Sequence, residues 1–201
     1  MPPQDGQQTS LLVYGVSSSV GVFVTQLAKK LGLFVVGVVG ASAQSAGQFG
    51  GDLVLNDKSS NFLADLANAI QLFNVHRIFD AVAEGGTTEL TAATVDAISG
   101  PNFMTTLLPV ANPASLPGSF NFSQTSVSDL HNPGKAGAQE FGARLAKLAG
   151  EWLESGELKP PKVTVIPGGL GSVGEAIARL QDGKVSAGKL VYRIGEIPDL
   201  A

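Results

Sequence analysis

Seven residues near the start of the chain, Gly15-Val16-Ser17-Ser18-Ser19-Val20-Gly21, have the types and spacing to hold an anion. An apolar run, Leu11-Leu12-Val13-Tyr14, stops at Gly15 and crosses a turn of small residues. It then enters a segment with Val20, Phe23, Val24, Leu27, Ala28 and Leu31 on one helical face. Small side chains leave backbone N–H groups at a helix start open to approach, and the helix dipole favours negative charge there. Gly15, Ser18, Ser19, Val20 and Gly21 are therefore candidates for gripping a dinucleotide pyrophosphate. The two glycines equally suit a structural role in turn geometry and close helix packing.

Further along, Val38-Val39-Gly40-Ala41-Ser42-Ala43-Gln44-Ser45 closes the second apolar run with neither an acid nor a base. An acid there would read the ribose hydroxyls of NAD, whereas small or basic residues accommodate the extra phosphate of NADP. The segment thus points to NADP(H), with Ser42 and Gln44 as hydrogen-bond partners at the adenosine end. The missing Lys or Arg makes weak binding the expectation. Asp80 and Glu84-Gly85-Gly86 fall at the end of another strand, as ligand-edge residues or as a helix-capping turn. His131 and Asp129, in a polar loop, are candidates for general acid–base work, and Tyr14 is a third polar candidate. A lone loop histidine is more often exposed and idle. The Gly-x-Ser-x-Gly spacing of a nucleophile elbow is absent, which disfavours hydrolase chemistry.

Composition narrows the classes. With 13 Lys and Arg against 17 Asp and Glu, and no basic cluster, the chain lacks the footprint of a nucleic-acid binder. Zero cysteines exclude disulfides, thiolate zinc sites and a cysteine nucleophile, and two histidines make no metal site the expectation. The polar, proline-bearing start lacks the regions of a signal peptide, and no apolar stretch is long enough to span a bilayer. A cytoplasmic protein with no membrane partner is expected.

The elements that must position these residues alternate. Strands are predicted over 11–14, 34–39, 53–55, 77–82 and 103–108, with helices over 20–31, 43–49, 61–72 and 87–98 between them. The strands are apolar without clean alternation, as when both faces are buried, and the order suits a doubly wound, mainly parallel α/β sheet of Rossmann type. Pro109, Pro113, Pro117 and Gly118 then break the pattern before Phe120-Asn121-Phe122. Phe120 and Phe122 flank this loop and are candidates to line an apolar substrate pocket. Phe103, Phe141 and Trp152 read as core. A helix over 136–155, a strand over 163–166, a helix over 170–182 and a strand over 189–194 complete a single domain, residues 1–201.

The segments Leu11-Leu12-Val13-Tyr14-Gly15 with its helix, Phe79-Asp80-Ala81-Val82-Ala83-Glu84-Gly85-Gly86, Pro167-Gly168-Gly169-Leu170 and Gly183-Lys184-Val185-Ser186-Ala187-Gly188-Lys189-Leu190-Val191-Tyr192 together resemble the medium-chain dehydrogenase/reductases. The likeness is to the zinc-independent quinone-oxidoreductase and fungal enoyl-reductase branch. It implies a Rossmann domain for the nicotinamide cofactor without the family's N-terminal catalytic domain, to which residues 189–201 would otherwise return. It also implies hydride transfer to an enone or quinone, with Leu108 to Ala111 facing the nicotinamide and a substrate site completed by another chain. The family's turn usually carries a glycine where this chain has Ser17-Ser18-Ser19; a serine Cβ there can crowd the pyrophosphate, although the resemblance to the fungal branch implies that serine-rich turns are tolerated. An unburied closing strand with a free edge suggests a homodimer.

Two other classes stay open: a redox-inactive cyclase or isomerase binding a small apolar molecule in the vacated groove, and a non-catalytic pseudoenzyme.

Overall fold

A computed structural model describes residues 9–40, 50–97, 102–110, 112–185 and 187–196. Six strands form one sheet in the order β3-β2-β1-β4-β5-β6: β1 Ser10–Tyr14, β2 Phe34–Val39, β3 Leu53–Asn56, β4 Arg77–Asp80, β5 Asn102–Thr106 and β6 Phe120–Gln124. Every neighbouring pair is parallel. The chain therefore runs outward from β1 to β3, returns to β4 and runs outward the other way, which opens a crevice at the carboxyl ends of β1 and β4.

Alternate residues of the central strands serve two cores, which is why these strands show no apolar–polar alternation. Leu12, Tyr14, Val36 and Val38 pack with Phe62, Leu66 and Ile70 of α2 (Phe62–Leu72) and Ala92 and Val95 of α3 (Thr87–Asp96). Val13, Val35 and Val39 pack on the other face with Val16 and with Ala28 of α1 (Ser19–Lys30). Val13, Val35 and Val36 are fully buried.

Observed bounds follow the predicted elements to within a few residues, β6 is a strand that the sequence pattern did not predict, and the expected helix over 43–49 lies outside the described residues. Phe120 packs against the α2–α3 core, whereas Phe122 on the same edge strand is partly exposed. The aromatic residues read as core are corrected in two cases: Phe103 is 43% and Phe141 60% exposed. Phe103 faces away from its buried neighbours Asn102 and Met104 and lies under the Arg77 guanidinium instead. Phe141 sits on α4 (Ala138–Ser155), a helix with no buried residue. Trp152 of that helix is half-buried beneath the Lys30 ammonium, 4.5 Å from the ring centre.

The closing segment pairs β8 (Gly188–Tyr192) in parallel with β7 (Lys162–Ile166), apart from the main sheet, and α5 (Val173–Gln181) makes the crossover. Among the described residues no helix is long and apolar enough to cross a membrane.

Candidate functional site

The turn between β1 and α1 is fastened at both ends. Gly15, at φ +82°, and Val16 both donate their N–H to the Val38 carbonyl at the end of β2, at 2.9 and 3.1 Å. The Ser18 N–H returns to the Gly15 carbonyl at 2.9 Å. Ser18 caps α1: its Oγ accepts the Gly21 N–H at 3.0 Å, and its carbonyl accepts from Val22. These bonds leave the N–H groups of Ser19 and Val20 with no hydrogen-bond partner among the described residues, at a helix start that carries no acidic side chain. Two open donors at the positive end of a helix dipole form an anion seat.

The glycines make this seat tight. A Cβ on Gly21 would stand 2.0 Å from the Gly15 carbonyl oxygen, and one on Gly15 would meet Val82 Cγ2 at 2.6 Å. Ser18 is a position that needs no glycine. Its backbone is extended (φ −69°, ψ 160°), open to any residue, and its hydroxyl is turned back onto the helix as the cap.

A cleft of about 760 Å³ opens over the turn, within the usual size of a small-molecule site. Tyr14, Gly15, Ser18 and Ser19 line it at the turn, Gly40, Asp57 and Lys58 on the β2–β3 side, and Val82 and Glu84 on the β4 side. Val185, Ala187 and Gly188 of the closing segment reach its rim, so the β7–β8 unit folds back toward the groove.

Asp80 resolves toward the capping alternative. It is fully buried, and its Oδ1 accepts the N–H groups of Val82 and Ala83 at 2.9 and 2.8 Å. Its Oδ2 accepts the hydroxyls of Thr87 and Thr88 at 2.8 and 2.7 Å. Four bonds hold the loop into α3, including Ala83 at φ +53°. Tyr14 is buried against Phe62, and its hydroxyl donates to Asp57 Oδ2 at 3.1 Å. Burial, then the adjacent Asp57 charge, pushes the phenol pKa well above its ordinary value, so the Tyr14 proton stays on oxygen at neutral pH.

The remaining candidates do not gather at the cleft. His131 is exposed at the end of a short 3-10 turn, and Asp129 pairs with Lys135 at 2.8 Å. Neither residue lines the groove, and Phe120 and Phe122 sit on the outer strand instead. Leu108 follows β5, half-exposed, its carbonyl accepting the Thr106 hydroxyl. Ser42, Gln44 and Ala111 lie outside the described residues.

Sequence reading missed Asp57 and Lys58. The parallel register sets Val39 opposite Asn56, and the Asp57 N–H donates to the Val39 carbonyl at 2.8 Å, so Asp57 arrives beside Gly40. The run Leu53-Val54-Leu55-Asn56-Asp57 is the available signal, because a strand parallel to β2 must deliver its next residue to the same edge.

No family model matches the chain. It is 30% identical over 205 residues to the trans-enoyl reductase ACTTS2 of Alternaria alternata, covering 96% of this chain and 58% of that protein. It is 28% identical over 174 residues to the trans-enoyl reductase fsr4 of Gibberella fujikuroi, covering 83% and 50%. The chain thus spans about half the length of the curated relatives it matches. Among solved structures it shares its fold with the CurF ER cyclopropanase of the curacin A biosynthetic pathway (TM-score 0.71, 20% identity, 96% of this chain and 55% of that one). The fold also matches CurA from Vibrio vulnificus, solved in complex with NADPH (TM-score 0.66, 23% identity, 94% and 58%).

Proposed function

We propose that this chain is a cofactor-binding domain of the quinone-oxidoreductase and enoyl-reductase branch of the medium-chain dehydrogenase/reductases and that it holds a nicotinamide dinucleotide, NADP(H) among the forms it takes. It would serve reduction of an enone or quinone in a site completed by further protein. The open N–H groups of Ser19 and Val20 above the glycine-tight turn carry this reading, because two unpaired donors at a helix N-terminus suit the negative charge of a pyrophosphate. A bound nicotinamide would supply hydride to an electron-poor double bond. The chain's own part is positional. Ser18 fixes the helix start, Gly15 and Gly21 bring backbone close, and Asp80 holds the loop on the β4 side of the cleft.

Support for NADP(H) comes from the fold neighbour solved with NADPH, and support for reduction from the relatives named as trans-enoyl reductases. A second reading, a cyclase or isomerase on the same scaffold, draws on the neighbour named a cyclopropanase.

Ser19→Pro tests the first reading. Proline is tolerated at the first helical position, and the preceding Ser18 already has the extended backbone it demands, so the variant removes one donor with little effect on folding. Calorimetric titration is expected to show NADPH binding weakened by roughly tenfold or more, the worth of one charge-assisted hydrogen bond. Unchanged affinity, or wild-type protein that binds no dinucleotide at millimolar concentration, would overturn it.

A further inference from the structure

The β2–β3 wall of the cleft carries an acceptor that no described residue uses. Asp57 Oδ1 is buried with no hydrogen-bond partner among the described residues, while Oδ2 of the same carboxylate takes the Tyr14 hydroxyl. Lys58 Nζ stands 3.3 Å from Oδ1 as an ion pair outside hydrogen-bond geometry, on a side chain 70% exposed. A buried carboxylate oxygen without a donor costs free energy, and a ligand hydroxyl would relieve that cost.

Place decides which hydroxyl. In doubly wound sheets the pyrophosphate sits at the first helix, and an acid near the end of the second strand takes the adenosine ribose hydroxyls. Here the end of β2 has no acid of its own, since Val39 is followed by Gly40 and Ala41. The neighbouring strand supplies one instead. Asp57 lies beside Gly40, and a Cβ on Gly40 would be 3.7 Å from Asp57 Oδ1. Tyr14 holds the carboxylate from behind, and both Gly40 and Asp57 line the cleft.

We propose that Asp57 reads the adenosine ribose of the bound dinucleotide, Oδ1 accepting a ribose hydroxyl, so that the chain takes NADH at least as readily as NADPH. The proposal rests on the nucleotide-cleft reading above. A 2′-hydroxyl donates to Oδ1, whereas a 2′-phosphate brings only acceptor oxygens and negative charge against it. Lys58 offsets part of that repulsion and keeps NADPH admissible.

The experiment measures dissociation constants for NADH and NADPH by calorimetry on wild type, Asp57→Asn and Lys58→Ala, with thermal melts as a fold check. Asp57→Asn keeps the side chain's size and removes its charge, and it should shift preference toward NADPH by tenfold or more. Lys58→Ala, at an exposed position that leaves the fold intact, should weaken NADPH several-fold more than NADH. Asp57→Asn moving both affinities by the same factor would reduce Asp57 to a support for Tyr14 and overturn the proposal. So would wild-type protein preferring NADPH beyond the error of the titration, or Lys58→Ala without a selective effect if Asp57→Asn fails to fold. Folded wild type binding neither dinucleotide would instead bring down the cleft reading, and this proposal with it.

Discussion

Gly21→Ala is the sharpest perturbation of the turn. The new Cβ would lie 2.0 Å from the Gly15 carbonyl oxygen, 2.8 Å from its carbon and 2.9 Å from Val16 Cα. All three are backbone atoms, so no side-chain rotation relieves the clash. Helix α1 or the Gly15 peptide would have to move by roughly 1 Å to restore normal contact, in a core packed as densely as a crystal. Gly15 is not free to move, because its N–H is bonded to Val38 and its carbonyl to the Ser18 N–H. Overpacking typically costs about 1–3 kcal/mol, and a clash against fixed backbone belongs at the upper end of that range or above it. For a chain of this size, about 3 kcal/mol lowers the melting temperature by roughly 6–12 °C. Gly150→Ala is the control: it sits in the interior of α4 with nothing within 4 Å of the new Cβ, and helix propensity favours alanine by about 1 kcal/mol. Circular-dichroism melts of the two variants should move in opposite directions. A Gly21→Ala melt within about 2 °C of wild type would refute the close-approach argument, since that is less than 1 kcal/mol here.

Other outcomes follow from the same structure. Burial works against the charged form of Asp52, but Lys29 Nζ at 2.7 Å and the Val35 N–H at 2.8 Å outweigh it and hold the carboxyl below its ordinary range. Its stabilisation is therefore full above the unfolded carboxyl pKa and lost as pH falls through the lower folded value. Asp52→Asn should cost about 1 kcal/mol at pH 7 in urea denaturation, a pair of this exposure being worth little more. That difference should begin to shrink near the unfolded carboxyl pKa of about 3.9 and close only once the pH lies below the folded value, and a gap that does not shrink in acid would contradict the assignment. The 201-residue chain assayed by itself is expected to show no enone-dependent oxidation of NADPH, because turnover requires both reactants to be positioned; steady absorbance loss on adding an enone would refute this. The exposed Val163 and Val165 on β7 favour a homodimer, and a monomer in sedimentation at micromolar concentration, unchanged on deleting residues 189–201, would remove that expectation.

The α/β class and the nucleotide turn were legible in the residues because both are local. The apolar runs at 11–14 and 34–39 read as strands buried on two faces, and small residues from Gly15 to Gly21 joined the first of them to an amphipathic helix. Asp80 was legible by position but not by role, since its four donors come from residues two to eight positions on and depend on how the loop folds. Ser18 was legible as part of the turn but not as the helix cap, a role that depends on its extended backbone and its bond to Gly21. The exposure of Phe103 and Phe141 was likewise invisible, because periodicity marks an apolar face without showing whether anything covers it. Asp57 was the largest omission. Its place beside Gly40 follows from the register of β3 on β2, a pairing across seventeen positions set by which residues the two cores bury together. Sequence periodicity determined what each segment is; which acid stands at the end of β2 was decided only when the sheet chose its neighbours.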